Sequence, residues 1–238
     1  MDSPAERYVA SRQRAEDEKS ALHEFRGLYD FELDQFQLDA CRALEDGSGV
    51  LVAAPTGAGK TIVGEFAVHL ALRSGTKCFY TAPIKALSNQ KYRDYCRLHG
   101  EENTGLVTGD LVIRRQAPCL VMTTEILRNM LLSGESMEDL RAVVVDEIHF
   151  LDDRERGTVW EEILIYLPQH VLIVALSATL PNLDSFAAWL SHVRQRPVEV
   201  VLETRRAVPL DWWFATQAKG IVTTEEFEAK KAEILKRL

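Results

Sequence analysis

Short, nearly continuous apolar runs punctuate the chain. They are GVLVAAP from Gly49, KCFYTAP from Lys77, PCLVMTT from Pro118, RAVVVDE from Arg141 and VLIVALSAT from Val171, with VEVVLE following from Val198. Residues that are apolar in succession, rather than in alternation, read as strands of a parallel sheet covered on both faces. Helical stretches lie between them, over 60–73, 84–98 and 125–132. That alternation predicts βαβ units and an α/β layered domain. Upstream, Phe36, Leu38, Ala40, Cys41 and Leu44 suit a helix over 34–46. Residues 3–26 read as a charged helix opened by Ser3 as N-cap, Pro4 at the first turn and Glu6 as a capping-box acid. No internal repeat or low-complexity segment is visible.

The pattern changes again near Gly220, and the last segment reads as a separate helical unit. Thr223 suits an N-cap, Glu226 the third-position acid, and Val222 with Phe227 a hydrophobic staple. Phe227, Ile234, Leu235 and Leu238 share one face, and Lys236 and Arg237 gather where the helix dipole favours cations. The organisation expected is an N-terminal charged extension over 1–27, a main domain over 28–217 and a short helical appendage over 218–238.

Composition narrows this little. The 238 residues carry a formal net charge of −8 with a pI near 5.3, which by itself argues against a nucleic-acid partner. Binding depends on a local surface and not on the sum, so the charge is no veto. No apolar run reaches the ~18 residues of a membrane span, and the first residues lack the apolar core of a secretory signal. No membrane association and a cytoplasmic location are expected. Cys41, Cys78, Cys96 and Cys119 are widely spaced in apolar surroundings and read as reduced structural cysteines, not a zinc site.

Three motifs carry chemistry. Ala54, Pro55, Thr56, Gly57, Ala58, Gly59, Lys60 and Thr61 follow an apolar strand and open a helix, the context of a Walker A phosphate loop. Small residues let the backbone wrap a phosphate chain, and amides at the helix N-terminus point at the anion. Lys60 supplies a charge for the terminal phosphates and Thr61 a hydroxyl for Mg²⁺. Ala54 stands where the general pattern has glycine. Asp146, Glu147, Ile148 and His149 end the strand AVVVDE, placing two carboxylates at the ligand-binding rim of an open α/β sheet. Asp146 suits a Mg²⁺ contact and Glu147 the activation of an attacking water. Ser177, Ala178 and Thr179 end the strand VLIVAL, where small hydroxyls can bond the acids of a neighbouring strand.

In this order the three motifs resemble the first RecA-like lobe of superfamily 2 DExH-box helicases. The resemblance is closest to the superkiller-type, exosome-associated RNA helicases and their actinobacterial members. It rests on TAPIKALSNQKY from Thr81, VMTTEILRNM from Val121, DEIHFLDDRERGTVWEEILIYLP from Asp146 and RAVPL from Arg206, and spans roughly residues 28–216. It implies a RecA-like P-loop NTPase fold, mostly parallel sheet with helices on both faces, that binds ATP and Mg²⁺. It implies Phe31 as the aromatic that stacks on adenine and Gln37 as the glutamine that reads adenine's edge with its amide. It makes His149 the residue coupling nucleotide state to a second lobe. It places Pro83, Lys85, Thr108, Gly109, Thr123, Thr124 and Arg128 in motifs that grip the sugar-phosphate backbone of one strand, RNA favoured over DNA. For Lys85 and Arg128 a solvated surface charge is the bland alternative. Trp160, Trp212 and Trp213 read as packing residues rather than base-stacking platforms.

The sequence departs from the family after the lobe. It contains no motif IV, V or VI, which in relatives belong to a second lobe supplying arginine fingers. The segment GIVTTEEFEAKKAEIL resembles a SHOCT element instead. The expectation is an ATP-dependent helicase-type NTPase lobe whose isolated hydrolysis is slow. It would be completed by a second lobe in trans or a self-association partner bound through the C-terminal helix. A non-catalytic ATP- and nucleic-acid-binding module stays open as the alternative, and a small-molecule kinase is disfavoured because it has no use for the strand-gripping segments.

Overall fold

The computed structural model describes residues 20–152, 157–178 and 182–206, together with the backbone of 213–216 and 220–223. The expected helix over 3–26 lies outside these residues except for its end, α1 (Ala21–Arg26). Ser20 caps α1, its hydroxyl accepting from the His23 amide at 3.0 Å. The next helix, α2 (Gln35–Glu45), buries Phe36, Ala40, Cys41 and Leu44, the spacing of one helical face.

One sheet organises the first unit, Met1–Arg205. In chain order come β1 (Gly49–Ala53), α3 (Thr61–Arg73), β2 (Lys77–Ala82), α4 (Lys85–His99), β3 (Thr104–Val107) and β4 (Val112–Ile113). They are followed by β5 (Cys119–Thr123), α5 (Thr124–Leu132), β6 (Leu140–Val145), α6 (Gly157–Tyr166), β7 (Leu172–Ser177), α7 (Leu183–Arg194) and β8 (Val198–Leu202). The strands lie in the order β4-β3-β5-β2-β6-β7-β1-β8. Every pairing is parallel except the short β3–β4 hairpin.

Alternate strand residues serve two cores. Val50, Val52, Cys78, Tyr80, Val121 and Val144 pack with α1 to α4, whereas Leu51, Phe79, Leu120, Met122, Val143 and Ile173 pack with α5 to α7. Covering both faces is why the strands read as unbroken apolar runs. Trp160, on α6, is buried in the second core, a packing residue as expected. The run VEVVLE is the exception to two-sided burial. It forms β8 at the sheet edge beside β1, and Leu202 is 54 % exposed because there is no further strand in the sheet. The strands β3 and β4 and the helix α7 are additions that the apolar runs did not announce.

The second unit is Arg206–Leu238. Its described part is an antiparallel hairpin of β9 (Trp213–Thr216) and β10 (Gly220–Thr223), with Thr223 opposite Trp213. The residues expected to begin a helical unit are therefore strand up to Thr223. The helix expected after it lies outside the described residues, as do Trp212 and the side chain of Trp213. No helix among the described residues is long and apolar enough to cross a membrane.

Two buried polar groups carry the packing at the helix ends. Arg194 is only 2 % exposed and donates to the carbonyls of Leu164, Leu167, Pro168 and Val171, at 3.3, 2.5, 2.6 and 3.1 Å. These are carbonyls at and beyond the end of α6, which lack intrahelical partners. Arg194→Ala is expected to destabilise the fold by about 2–4 kcal/mol, read as a lower urea midpoint at unchanged slope.

At the end of α4, His99 packs against Tyr95, and its buried Nε2 has no hydrogen-bond partner among the described residues. Burial first, then the nearby His69, lower its pKa to about 4. The folded protein holds this histidine neutral. Its contribution is complete above the ordinary imidazole range and is lost as pH falls toward 4. His99→Gln should flatten the fall in thermal midpoint between about pH 6.5 and 4. An undiminished slope would place the acid sensitivity elsewhere.

Candidate functional site

Because the strands run parallel, the loops that follow them gather on one rim. The register aligns Ala53 with Ser177, Thr81 with Val145 and Ala82 with Thr123. The phosphate loop after β1, the acids after β6 and Ser177 at the end of β7 are thereby brought together. So are Pro83 and Lys85 after β2, Thr108 and Gly109 after β3, and Thr123 and Thr124 at the end of β5. Thr179 lies outside the described residues.

The phosphate loop turns through two glycines with positive φ, Gly57 at 86° and Gly59 at 84°. Thr56 and Gly57 are exposed, whereas Ala54, Pro55 and Ala58 are buried. The Lys60 ammonium donates to the carbonyls of Ala54 at 2.7 Å and Pro55 at 3.1 Å, folded back inside its own loop. Burial pulls its pKa down, while Glu147 and Asp146 oppose that shift. A triphosphate meeting the loop would exchange these two carbonyls for charged oxygens, a stronger acceptor for an ammonium.

Gln37, expected to read adenine, is engaged by the backbone in this structure. It is 4 % exposed, its Nε2 donates to the Gly59 carbonyl at 3.0 Å, and its Oε1 accepts from the Asp34 amide at 2.8 Å. Both ends of the amide are engaged by backbone, so Gln37 ties α2 to the phosphate loop. Phe31 is 53 % exposed, with its ring 5.1 Å from that of Tyr29, and offers an open aromatic face. The two rings line an open depression of about 440 Å³ with His23, Arg26 and Glu32.

The acidic pair is held from below. Asp146 Oδ2 accepts from the Tyr80 hydroxyl, and its Oδ1 accepts from the Glu147 amide at 3.0 Å. The Asp146 amide donates to the Thr81 carbonyl at 3.0 Å, anchoring the turn to β2. Glu147 has φ of 56°, a strained backbone conformation for a residue with a side chain. Burial, then Asp146, raise its pKa, partly offset by His149, Lys60 and Lys91. His149 Nδ1 lies 3.3 Å from Glu147 Oε2 without hydrogen-bond geometry. The Ser177 hydroxyl is buried and makes no hydrogen bond among the described residues, so it does not bond the acids as expected. Its carbonyl instead accepts from the Ala54 amide at 3.2 Å.

A divalent cation fits this donor set as a companion of a nucleotide. Thr61 and Asp146 contribute one hydroxyl and one carboxylate, and no cluster of three or more His, Cys, Asp or Glu side chains forms a cage among the described residues. Mg²⁺ is held in that fashion, by one or two carboxylates with phosphate and water. Thr61 Oγ1 accepts from Lys91 Nζ at 3.0 Å.

On the other half of the rim, Lys85 pairs with Asp110 at 2.8 Å, and Thr108 donates to the same carboxylate oxygen at 3.1 Å. Both contacts pull the Asp110 pKa down. Gly109 is exposed and carries no side chain beside Lys85, so backbone there is open to approach. Thr123 stands at the N-cap position of α5 without a side-chain capping bond, and the Thr124 hydroxyl donates to the Ala82 carbonyl at 3.3 Å, stitching β5 to β2. Arg128 is farther along α5 and is ion-paired to Glu162 of α6, so its charge is already engaged. A separate cavity of about 490 Å³ lies at the opposite strand ends. Its charges are paired internally, Lys77 with Asp139 at 2.8 Å and Arg115 with Glu135 at 2.7 Å.

Tyr80, Lys91 and Glu162 were not anticipated as site residues. A tyrosine inside a covered strand requires a partner for its hydroxyl, and that requirement was the available signal for Tyr80.

The DEAD/DEAH box helicase family matches residues 34–186. Probable helicase HelY of Mycobacterium tuberculosis (strain ATCC 25618 / H37Rv) is 50 % identical over 217 residues, 91 % of this chain and 24 % of HelY. Antiviral helicase SKI2 of Saccharomyces cerevisiae is 50 % identical over 182 residues, 76 % of this chain and 14 % of SKI2. The structure of Mycobacterium smegmatis helicase Lhr bound to ssDNA and AMP-PNP superposes with a TM-score of 0.65 at 26 % identity, over 81 % of this chain and 29 % of Lhr. The chain thus spans about a quarter or less of the curated relatives compared here.

A Cβ at residue 59 would stand 2.6 Å from Gln37 Nε2, at a φ that L residues rarely adopt. Gly59→Ala should therefore cost about 2 kcal/mol of stability. In a Gln37→Ala background the additional cost of Gly59→Ala should shrink without vanishing, because the clash goes and the backbone strain stays. Urea unfolding of the four proteins in this cycle checks both claims.

Proposed function

The chain belongs to the DEAD/DEAH box helicase family as an ATP-binding lobe of the superkiller-type group, and on that premise we propose that it couples Mg-ATP to a backbone grip on single-stranded RNA. The observation that carries this reading is the single rim, on which the phosphate loop and acidic pair continue into the Lys85, Thr108 and Thr123–Thr124 cluster. RNA is favoured over DNA because a relative 51 % identical over 184 residues, from Arabidopsis thaliana, is named a DExH-box ATP-dependent RNA helicase.

In this reading Phe31 stacks on the base, and the amides of Gly57 to Thr61 receive the phosphates. Lys60 swings from the Ala54 and Pro55 carbonyls onto the terminal phosphates. Thr61 and Asp146 hold Mg²⁺, which when bound neutralises charge on the phosphate oxygens. Glu147 orients the attacking water and accepts its proton, a task suited to a carboxylate whose pKa is raised by burial. Pro83, Lys85, Thr108, Gly109, Thr123 and Thr124 contact the sugar-phosphate backbone, and Arg128 joins them after releasing Glu162. His149, beside Glu147, faces a second lobe. These 238 residues hold one lobe's motifs and none of motifs IV, V or VI, so hydrolysis by this polypeptide is slow and needs a second lobe for full rate.

The test is the Mg-ATPase rate of the purified chain with and without single-stranded RNA, using Glu147→Gln as the blank. Turnover barely above the blank is expected, with nucleotide binding intact. Lys60→Ala should weaken ATP binding by roughly a hundredfold, the loss of charge-assisted hydrogen bonds worth about 3 kcal/mol. Undiminished binding in that variant would remove the phosphate-loop assignment, and turnover rivalling a two-lobed helicase would remove the requirement for a second lobe.

A further inference from the structure

The mechanism leaves one charged side chain at the site without a task. Lys91 lies on α4, the helix that begins with Lys85 at the strand-gripping rim. Its ammonium donates to Thr61 Oγ1 at 3.0 Å and sits 5.9 Å from the centre of the Tyr80 ring. The hydroxyl of that tyrosine holds Asp146. Glu65, one turn along α3 from Thr61, faces the same recess, with its Oε2 accepting from the Tyr29 hydroxyl at 2.6 Å. Lys91 interacts electrostatically with Glu65 and with Glu147. One ammonium thus stands on the threonine hydroxyl to which the ATP-site reading assigns the metal, and interacts with two carboxylates beside it.

We propose that Lys91 is a positioning residue that fills the cation locus of the nucleotide site in the nucleotide-free lobe and must release Thr61 when a metal-bound nucleotide enters. The inference rests on the ATP-site reading above. Two cations sharing one hydroxyl oxygen repel, so the metal and Lys91 compete for Thr61. A flexible lysine stem lets the ammonium withdraw. Because Lys91 and Lys85 are on one helix, the withdrawal links metal entry to the helix that reaches the nucleic-acid strand. In the absence of metal the ammonium has a second effect, since it attracts the nucleotide phosphates.

The experiment measures binding of a fluorescent N-methylanthraniloyl ADP to the full 238-residue chain, in EDTA and in Mg²⁺, for wild type, Lys91→Met and Lys91→Arg. Methionine keeps the stem and removes the charge, so affinity in EDTA should fall. The ratio of affinities with and without Mg²⁺ should rise at least about fivefold, the effect of one unit charge at ~4 Å under full water screening. Arginine keeps the charge and should keep the wild-type ratio. A residue that only packs α4 against α3 would weaken binding equally in both conditions, so a ratio unchanged or lowered in Lys91→Met overturns the proposal. Wild-type protein that binds no ADP in either condition would instead overturn the ATP-site reading, and this inference with it.

Discussion

Burial of both faces of a parallel sheet is the constraint on which the rest of this lobe depends. Most strand positions of the central sheet are taken by apolar side chains, one set toward α1 to α4 and the other toward α5 to α7. Charged groups have no place there without a partner. They are left with the strand ends, and parallel connections place the loops after successive strands on the same side. Position at the rim is a consequence of where charge is tolerated at all. Several polar groups that do enter the interior are satisfied by a specific acceptor, as with Thr81 on the Val144 carbonyl and Arg194 on four carbonyls.

The charges at the rim are held against one another. Asp146, Glu147 and Glu65 are partly offset by Lys60 and Lys91, both of which rest on oxygens of the phosphate loop and its helix. Gln37 restrains Gly59 from outside, while Tyr80 restrains Asp146 from inside. The loop backbone is thereby fixed on both sides, which lowers the ordering cost of any ligand that binds it. The neighbouring cluster is organised likewise, with Lys85 oriented by Asp110 and β5 stitched to β2 through Thr124. In the proposed reading, nucleotide chemistry and strand contact share β2 and α4 instead of occupying separate parts of the lobe.

Local sequence carried far. The apolar runs located six of the eight strands of the main sheet, and their lack of alternation announced two-sided burial. The glycines of the phosphate loop and the paired acids after β6 were legible because their chemistry resides in consecutive residues. What escaped was of another kind. The strand β3 is four residues and β4 two, too short for a periodicity to register. The exposure of β8 follows from its place at the edge, which no property of VEVVLE announces. The bonds of the Gln37 amide to Asp34 and Gly59 likewise depend on how α2 sits against the loop.

Sequence alone determined most of the element types of the main sheet, the family of the lobe and where the phosphate-loop and acidic motifs lie along the chain, because each rests on local periodicity or on adjacent residues acting together. The tertiary structure decided which distant groups meet. Tyr80 reaches Asp146 across 66 positions, Lys91 reaches Thr61 across 30, and Arg128 is paired with Glu162 across 34. Such pairings depend on strand order and on the rotation of each helix about its axis. Both are set by the packing of the two cores, which no short stretch of the chain contains.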